Sequence, residues 1–447
     1  MNVAEQIVGQ LVDAGVHHIY GIVGDSLNPI VDAVRKTGGS KKGGINWIHV
    51  RHEEAAAFAA SAEAQLTGKL AVCAGSCGPG NLHLINGLYD ANRTGAPVLA
   101  IASHIPSVQI GSMYFQETHP DRIFEECSVY NELISSAAQS PRTVNSAIRH
   151  AVGLGGVAVI TLPGDVSDLK AVDHVPTYAP ARPATLAPNA ADIEEAAALL
   201  NKADKVAIFA GAGVEGAHDE VIALADALKA PIGHSLRGKN FIQYDNPFDV
   251  GMTGLLGYGA AAEGMSDADV LILLGTDFPY DQFLPSTPTI QVDTHAEKLG
   301  RRTDVGLAIH AQVKPFIEAL LPHLRQDRSD AFLTAKIKKH SEIMHAPVGA
   351  YTRNVEKMRP IHPEYAAHLL NETAAKDAIV TADTGMCNVW TARYIDPLGT
   401  RRLIGSLLHG SMANALPMAL GAQVAYPDRQ VVSVSGDGGL SMLLGEL

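Results

Sequence analysis

What most constrains this chain is an alternation of short, almost continuously apolar runs with helix-like stretches. Asn46 to Val50 (NWIHV) reads as a strand, and Glu53 to Leu66 as an Ala-rich helix that Gly68 caps. The strand LAVCAG from Leu70 follows, then a tight SCGPGN turn, a helix through Asp90, and the strand VLAIAS from Val98. Strands apolar on both faces and joined through helices belong to a parallel sheet covered on both sides. Ligands of such sheets sit beyond the carboxyl ends of the strands, just after Val50, Gly75 and Ser103 in this chain. Asp25, after IYGIVG, occupies a comparable place, and no role follows for it from the sequence.

The pattern recurs. A Pro/Ala run between Pro176 and Pro188 cannot join a packed sheet and reads as a linker. A second α/β segment carries VAIFAGAG, DVLILLG and TIQVD, and the polar stretch Gln326 to Pro360 reads as a second connection. A third segment supplies AIVTAD, LIGS, a helix from Met412, and VVSVSGDGG. The expected fold class is α/β with three doubly wound parallel-sheet domains, at residues 1–178, 190–325 and 360–447. The third has too few strands to close a sheet as large as the first, so it is expected to be incomplete, the chain ending inside it.

Lys plus Arg number 34 against 47 Asp plus Glu, a formal charge of −13. Scattered acidic charge of this kind leaves no footprint for nucleic acid. A hydrophobic content of 47% excludes a disordered chain. No uninterrupted apolar stretch reaches about 18 residues, so no membrane-spanning helix is expected. Val3, Ile7 and Leu11 recur at helical spacing, which suits a first amphipathic helix rather than a signal peptide. The four cysteines (Cys73, Cys77, Cys127, Cys387) form no C-x-x-C pair, so reduced, buried thiols in a cytoplasmic protein are the expectation.

Four motifs bear on chemistry. Gly211-Ala-Gly213-x-x-Gly216 follows a strand, but the acid that a dinucleotide fingerprint needs about 20 residues on is absent from LKAPIGHSLRG, which argues against NAD. Gly436-Asp437-Gly438-Gly439 suits a Mg²⁺ held on a diphosphate, with a helix-capping turn as the plainer reading. His52-Glu53-Glu54 opens a helix after a strand: either the acids serve the macrodipole, or one is buried as a general acid or base. The bare backbone of SCGPGN admits a flat ring, or is only a tight turn.

Taken in order and spacing, these stretches, with YFQETHP, LRGK, YDNPFDVGMTGLLG, LLGTDFPY and HGSMANALPMALGAQ, resemble the thiamine-diphosphate enzymes. They are most similar to the FAD-containing branch that holds pyruvate oxidase and pyruvate dehydrogenase (quinone), and the similarity spans essentially the whole chain. The resemblance implies that Glu53 exchanges a proton with the pyrimidine ring of thiamine diphosphate. Backbone at Gly410 and Ser411 would fix that ring, and Met412 would hold the cofactor bent. Asp437, with Gly438 and Gly439, would place Mg²⁺ on the diphosphate, and Phe115 and Gln116 would line the pyruvate site.

For FAD, the same resemblance assigns Arg237, the turn Thr253, Gly254, Leu255 and Leu256, the stretch Gly275, Thr276, Asp277, Phe278 and Pro279, and Asp293. It implies oxidative decarboxylation of pyruvate to acetate and CO₂, with electrons passed through FAD to a quinone or O₂. It also implies a homodimer or tetramer in which Glu53 and Asp437 serve one site from different chains. Peripheral membrane contact would belong to a C-terminal segment beyond Leu447. The family motif continues to an Asn, the second side-chain ligand of Mg²⁺, which is absent here after Asp437. The rival expectations are an acetolactate synthase-like carboligase and a non-catalytic flavin-binding fragment.

Overall fold

The computed structural model describes residues 1–173, 178–181 and 184–447, so the expected linker at 176–188 lies partly outside the described residues. The chain forms two compact units. One joins Met1–Arg182 to Ile379–Cys387 and Ile404–Leu447; the other joins Pro183–Ala378 to Asn388–Leu403.

The first unit is built on β1 (His18–Gly21), β2 (Asn46–His49), β3 (Ala71–Gly75), β4 (Val98–His104), β5 (Tyr130–Leu133) and β6 (Val157–Pro163). They run parallel in the order β2-β1-β3-β4-β6-β5. Successive residues of one strand serve different cores: Val72 and Ala74 pack on one side, Ala71 and Cys73 on the other. This is why the strands read as continuous apolar runs. Strand order reverses between β1 and β3, which puts a ligand crevice at their carboxyl ends. Asn2 and Glu5 form a capping box on the first helix, Val3–Asp13, whose Val3, Ile7 and Leu11 are buried as the spacing predicts.

The Ala-rich helix runs Glu53–Thr67 and ends at Gly68 in the left-handed conformation. Its small residues let two other helices approach closely. A methyl at Gly87, on the helix Pro79–Thr94, would lie 2.5 Å from Ala57 Cβ. One at Gly421, on the helix Ala415–Ala425, would lie 2.2 Å from Ala59 O. The second of these belongs to the C-terminal segment, whose stretches Ile379–Cys387 and Ile404–Leu447 share one unit with the first segment, while 360–378 and Asn388–Leu403 go with the second. That segment contributes β14 (Ile379–Ala382), β15 (Arg402–Gly405) and β16 (Val431–Val434), ordered β15-β14-β16.

The second unit holds β7 (Val206–Ala210), β8 (Ile232–His234), β9 (Asp249–Met252), β10 (Tyr258–Gly259), β11 (Val270–Leu274), β12 (Thr289–Asp293) and β13 (Leu307–His310). Their order is β10-β9-β8-β7-β11-β12-β13, parallel except for the β9–β10 hairpin, which the sequence reading did not anticipate. The reversal point lies between β7 and β11.

Two expectations need correction. The helix expected from Met412 begins at Ala415, because Ala413 adopts φ +64° and the Asn414 side chain is committed to the loop before it. The helix expected to end at Asp90 continues to Thr94, where Gly95 at φ +78° stops it. The stretch 326–360, read as a polar, helix-prone connection, carries the helix Ala331–Ile343, and Lys336 on it fastens the connection to the second unit by donating to Glu263 Oε1 and Asp267 Oδ2, both at 2.6 Å.

Candidate active site

The loops after β1, β3 and β4 meet at the crevice of the first sheet. Ser26 Oγ lies 3.0 Å from Ser76 Oγ and 2.7 Å from Ser103 Oγ, and accepts the Cys77 amide at 3.1 Å. Asn81 donates to Ser103 O at 2.7 Å. This hydroxyl network fixes the SCGPGN turn, and Ser26 and Ser103 were not singled out from the sequence. Cys77 is buried and its thiol donates to Gln116 Oε1 at 3.3 Å. Gln116 adopts φ +63° and sits over Gly78, where a methyl would lie 2.9 Å from its Cβ. Gln116 therefore reaches the turn, whereas neighbouring Phe115 is 78% exposed. All four thiols are buried, and burial pushes Cys73 and Cys127 up to about 12.

Glu53 is 6% exposed at the first turn of its helix. Its Oε2 meets His83 Nδ1 at 3.0 Å, and Oε1 faces Gly80, where a methyl would lie only 2.9 Å away. The glycine keeps that oxygen clear. The capping role falls instead to His52, whose ring accepts the Glu54 amide at 3.2 Å. His52, Glu53 and His83 each offer a donor atom within 4.8 Å of the others. The two rings are stacked 4.4 Å apart and 25° from parallel. Lone pairs lie in the ring planes, so they do not converge on one ion. The group is a Glu53–His83 hydrogen bond with His52 stacked on it, rather than a metal centre.

At the third sheet, strand order also reverses beside β14, and Asp383 follows it directly. This residue, missed in the sequence, is buried and accepts from Asn414 N at 3.0 Å and Asn414 Nδ2 at 2.9 Å. Burial raises its carboxyl above the usual range, against the pull of those donors. Asn414 in turn binds Ser406 N and Ser411 O, which sets the loop bearing Gly410, Ser411 and Met412. Gly410 is open at φ +77°, and Met412 Cε lies 3.1 Å from where a Gly438 methyl would stand. The loops at 410–412 and 437–439 are thus brought together.

Asp437 is exposed, opens the helix Asp437–Met442, and its carboxylate makes no hydrogen bond among the described residues. The capping reading fails, and a hard, free oxygen donor beside bare glycine backbone fits Mg²⁺ on a diphosphate. Glu446, also unforeseen, accepts the amides of Arg51 at 2.8 Å and His52 at 3.0 Å, fastening the end of this segment to the start of the Glu53 helix.

In the second unit, Gly211 N donates to Leu274 O at 2.8 Å and Gly213 N to Gly275 O at 3.0 Å. The G-x-G amides are spent on the neighbouring loop, which agrees with reading the motif as a tight turn. Gly275 adopts φ +59° to allow this. Gly254, at φ +97°, lets the turn at 253–257 settle on Phe278, so those two assigned stretches also meet. Thr253 is buried, Leu255 and Pro279 are exposed, and Thr276 Oγ1 accepts the Phe278 amide. Arg237 lies in the helix Leu236–Ile242, which packs on the end of β7 through Gly238. Asp277 is paired with Arg301, a partner the sequence did not suggest. Asp293 is buried, and its Oδ1 takes both contacts from His295, leaving Oδ2 for a ligand hydroxyl.

Three crevices at strand ends, a buried carboxylic acid and a free aspartate among glycines define a cofactor-dependent α/β enzyme. Models of the thiamine pyrophosphate enzymes match in sequence order: the N-terminal TPP binding domain at residues 1–123, the central domain at 193–320 and the C-terminal TPP binding domain at 383–447. The chain belongs to this family. It is 54% identical over 337 residues to an uncharacterized 42.6 kDa protein in the isoamylase 3′ region of Pseudomonas amyloderamosa (74% of this chain, 84% of that one). It is 32% identical to a pyruvate oxidase of Lactiplantibacillus plantarum (97% and 72%) and 31% to the acetolactate synthase isozyme 2 large subunit of Escherichia coli (100% and 80%). Among the described residues, no helix is long and apolar enough to cross a membrane.

Proposed function

We propose that this chain carries out the oxidative decarboxylation of pyruvate, using thiamine diphosphate and Mg²⁺, with FAD taking the electrons and a quinone or O₂ reoxidising it. Thiamine diphosphate, when bound, supplies the electron sink that makes loss of CO₂ from a 2-keto acid feasible. The residues of the chain do the rest. Glu53 holds a proton at Oε1, the oxygen that Gly80 leaves uncovered, while His83 orients the carboxyl through Oε2. Asp437 is the side-chain ligand offered to Mg²⁺. Asp383, through Asn414, holds the loop of Gly410 and Met412 in register with it. Gln116, anchored over Gly78, stands where a small keto acid would be gripped, and Phe115 would exclude water once covered.

In the second unit, Asp293 Oδ2 and the backbone at Gly254 suit a flavin's hydroxyls and diphosphate, with Arg237 to neutralise charge, while Gly275, whose amide donates to Val292 O, shapes the turn. A homo-oligomer, in which a second copy covers the exposed Phe115, belongs to the same proposal. The observation that carries the reading is the burial of Glu53 with one oxygen kept clear. The test is Glu53→Gln, expected to abolish pyruvate turnover while the flavin spectrum stays unchanged; a variant retaining turnover would refute it. The carboligase reading is favoured by the similarity to an acetolactate synthase subunit, which covers the whole of this chain and 80% of that one. Anaerobic pyruvate separates the two: bleaching of the flavin supports oxidation, and acetolactate formed over an oxidised flavin supports the alternative. Failure to bind thiamine diphosphate in a calorimetric titration would favour a non-catalytic chain.

A further inference from the structure

One side chain in the first unit ties the start of the Glu53 helix to the loop at 410–412 of the same chain. Asn86, on the helix Pro79–Thr94, donates from Nδ2 to Glu54 Oε1 at 2.7 Å and to Ser411 Oγ at 2.9 Å. Its Oδ1 lies 2.8 Å from His409 Nε2. A carboxylate only accepts, so Glu54 fixes which end of the amide faces it and leaves the carbonyl oxygen for His409. That oxygen needs a donor, so His409 must carry its proton on Nε2. Ser411 Oγ, having accepted from Asn86, spends its own proton on Met412 O at 2.8 Å. The donors therefore run in one direction, His409 to Asn86 to Ser411 to Met412, with a branch to Glu54. Tyr89 stacks on His409, 5.6 Å between centroids and 8° from parallel, and holds the imidazole in place.

We infer that Asn86 and His409 are positioning residues that lock the Gly410–Met412 loop onto the start of the Glu53–Glu54 helix of the same chain, and so fix where this chain presents the Gly410 backbone and Met412 to the cofactor. The inference rests on the reading given under Proposed function. Neither residue touches the reacting atoms. Burial and the nearby Arg93 both hold His409 below its ordinary range, which keeps the ring in the neutral, tautomer-selective form the chain of donors requires.

Two measurements on the whole chain test it. Nitrogen-15 NMR of labelled histidine, with His409 assigned by the signal lost in His409→Gln, should show the Nε2–H tautomer without cofactor; an Nδ1–H tautomer overturns the inference. Calorimetric titration with Mg²⁺ and thiamine diphosphate should show Asn86→Leu and His409→Phe weakening affinity by about five- to tenfold, in chains that urea titration shows to be fully folded at the assay temperature. His409→Gln, whose amide N–H can reach the same acceptor, should stay within about twofold of the parent. Parental affinity in Asn86→Leu, or equal loss in the Gln and Phe variants, overturns it as well. If the unaltered chain binds no thiamine diphosphate, the proposed function fails, while the tautomer still decides the direction of the donors.

Discussion

His234 and Asp249 lie side by side in the second unit, on β8 and β9, with His234 Nε2 3.4 Å from Asp249 Oδ1. Burial, reinforced by the Lys239 ammonium, pushes the imidazole from 6.5 down to about 3. Burial also raises the carboxyl from 3.8 to about 6, against the amide of Gly251 and Lys239. Below pH 6.5 the unfolded chain protonates its histidine and the folded chain does not, so His234 removes stability as pH falls towards 3. Asp249 acts in the opposite sense. Folded, it takes up a proton near pH 6; unfolded, only near 3.8, so acidification across that window adds stability. At about 1.4 kcal/mol per pH unit, the window is worth about 3 kcal/mol.

Asp249→Asn keeps an oxygen for Gly251 N, which donates to Oδ1 at 3.1 Å, and removes only the charge. The variant should be more stable than the parent at pH 7 by up to about 3 kcal/mol and lose that advantage by pH 4. The chain has two tryptophans, Trp47 and Trp390, and Trp390 lies in the second unit. In a Trp47→Phe background, urea unfolding followed by Trp390 fluorescence at pH 7, 6, 5 and 4 reads the effect. Parallel profiles for parent and variant, separated by a constant offset, would refute the reasoning.

Gly439→Ala would set a methyl 1.7 Å from Asp383 Oδ2 and displace the carboxylate that holds Asn414, so stability should fall by about 1–3 kcal/mol in thermal denaturation, together with cofactor affinity. Arg401 is 2% exposed and donates to the carbonyls of Asn371, Ala374, Ala375 and Asp396. Arg401→Met should cost about 3 kcal/mol by chemical denaturation, because the last carbonyls of the helix Pro363–Thr373 lose their donors. Gly275→Ala would force a methyl to 2.4 Å from Gly213 Cα at φ +59°, and should destabilise the second unit and, on the proposed function, abolish flavin retention during gel filtration.

Periodicity and strand-end position exposed the three sheet segments, the Ala-rich helix and the place of Glu53 at a strand end, because each depends on local pattern and on the rule that ligands gather at carboxyl edges; its burial was left open between two readings. Resemblance supplied the candidate cofactor residues, and the fold brings Gly410–Met412 to Gly438 and the turn at 253–257 to Phe278. Tertiary structure alone decided the partners. His83 on Glu53, Asp383 beneath Asn414, Asn86 between Glu54 and Ser411, Glu446 on Arg51 and Arg301 on Asp277 join residues from different elements, most of them far apart in the chain. No periodicity encodes such pairs, since a hydrogen bond across elements depends on where two helices or loops come to rest. The start of the helix at Ala415 was hidden for the same reason: Asn414 and Asp383 had first to meet before the loop ahead of it could be fixed.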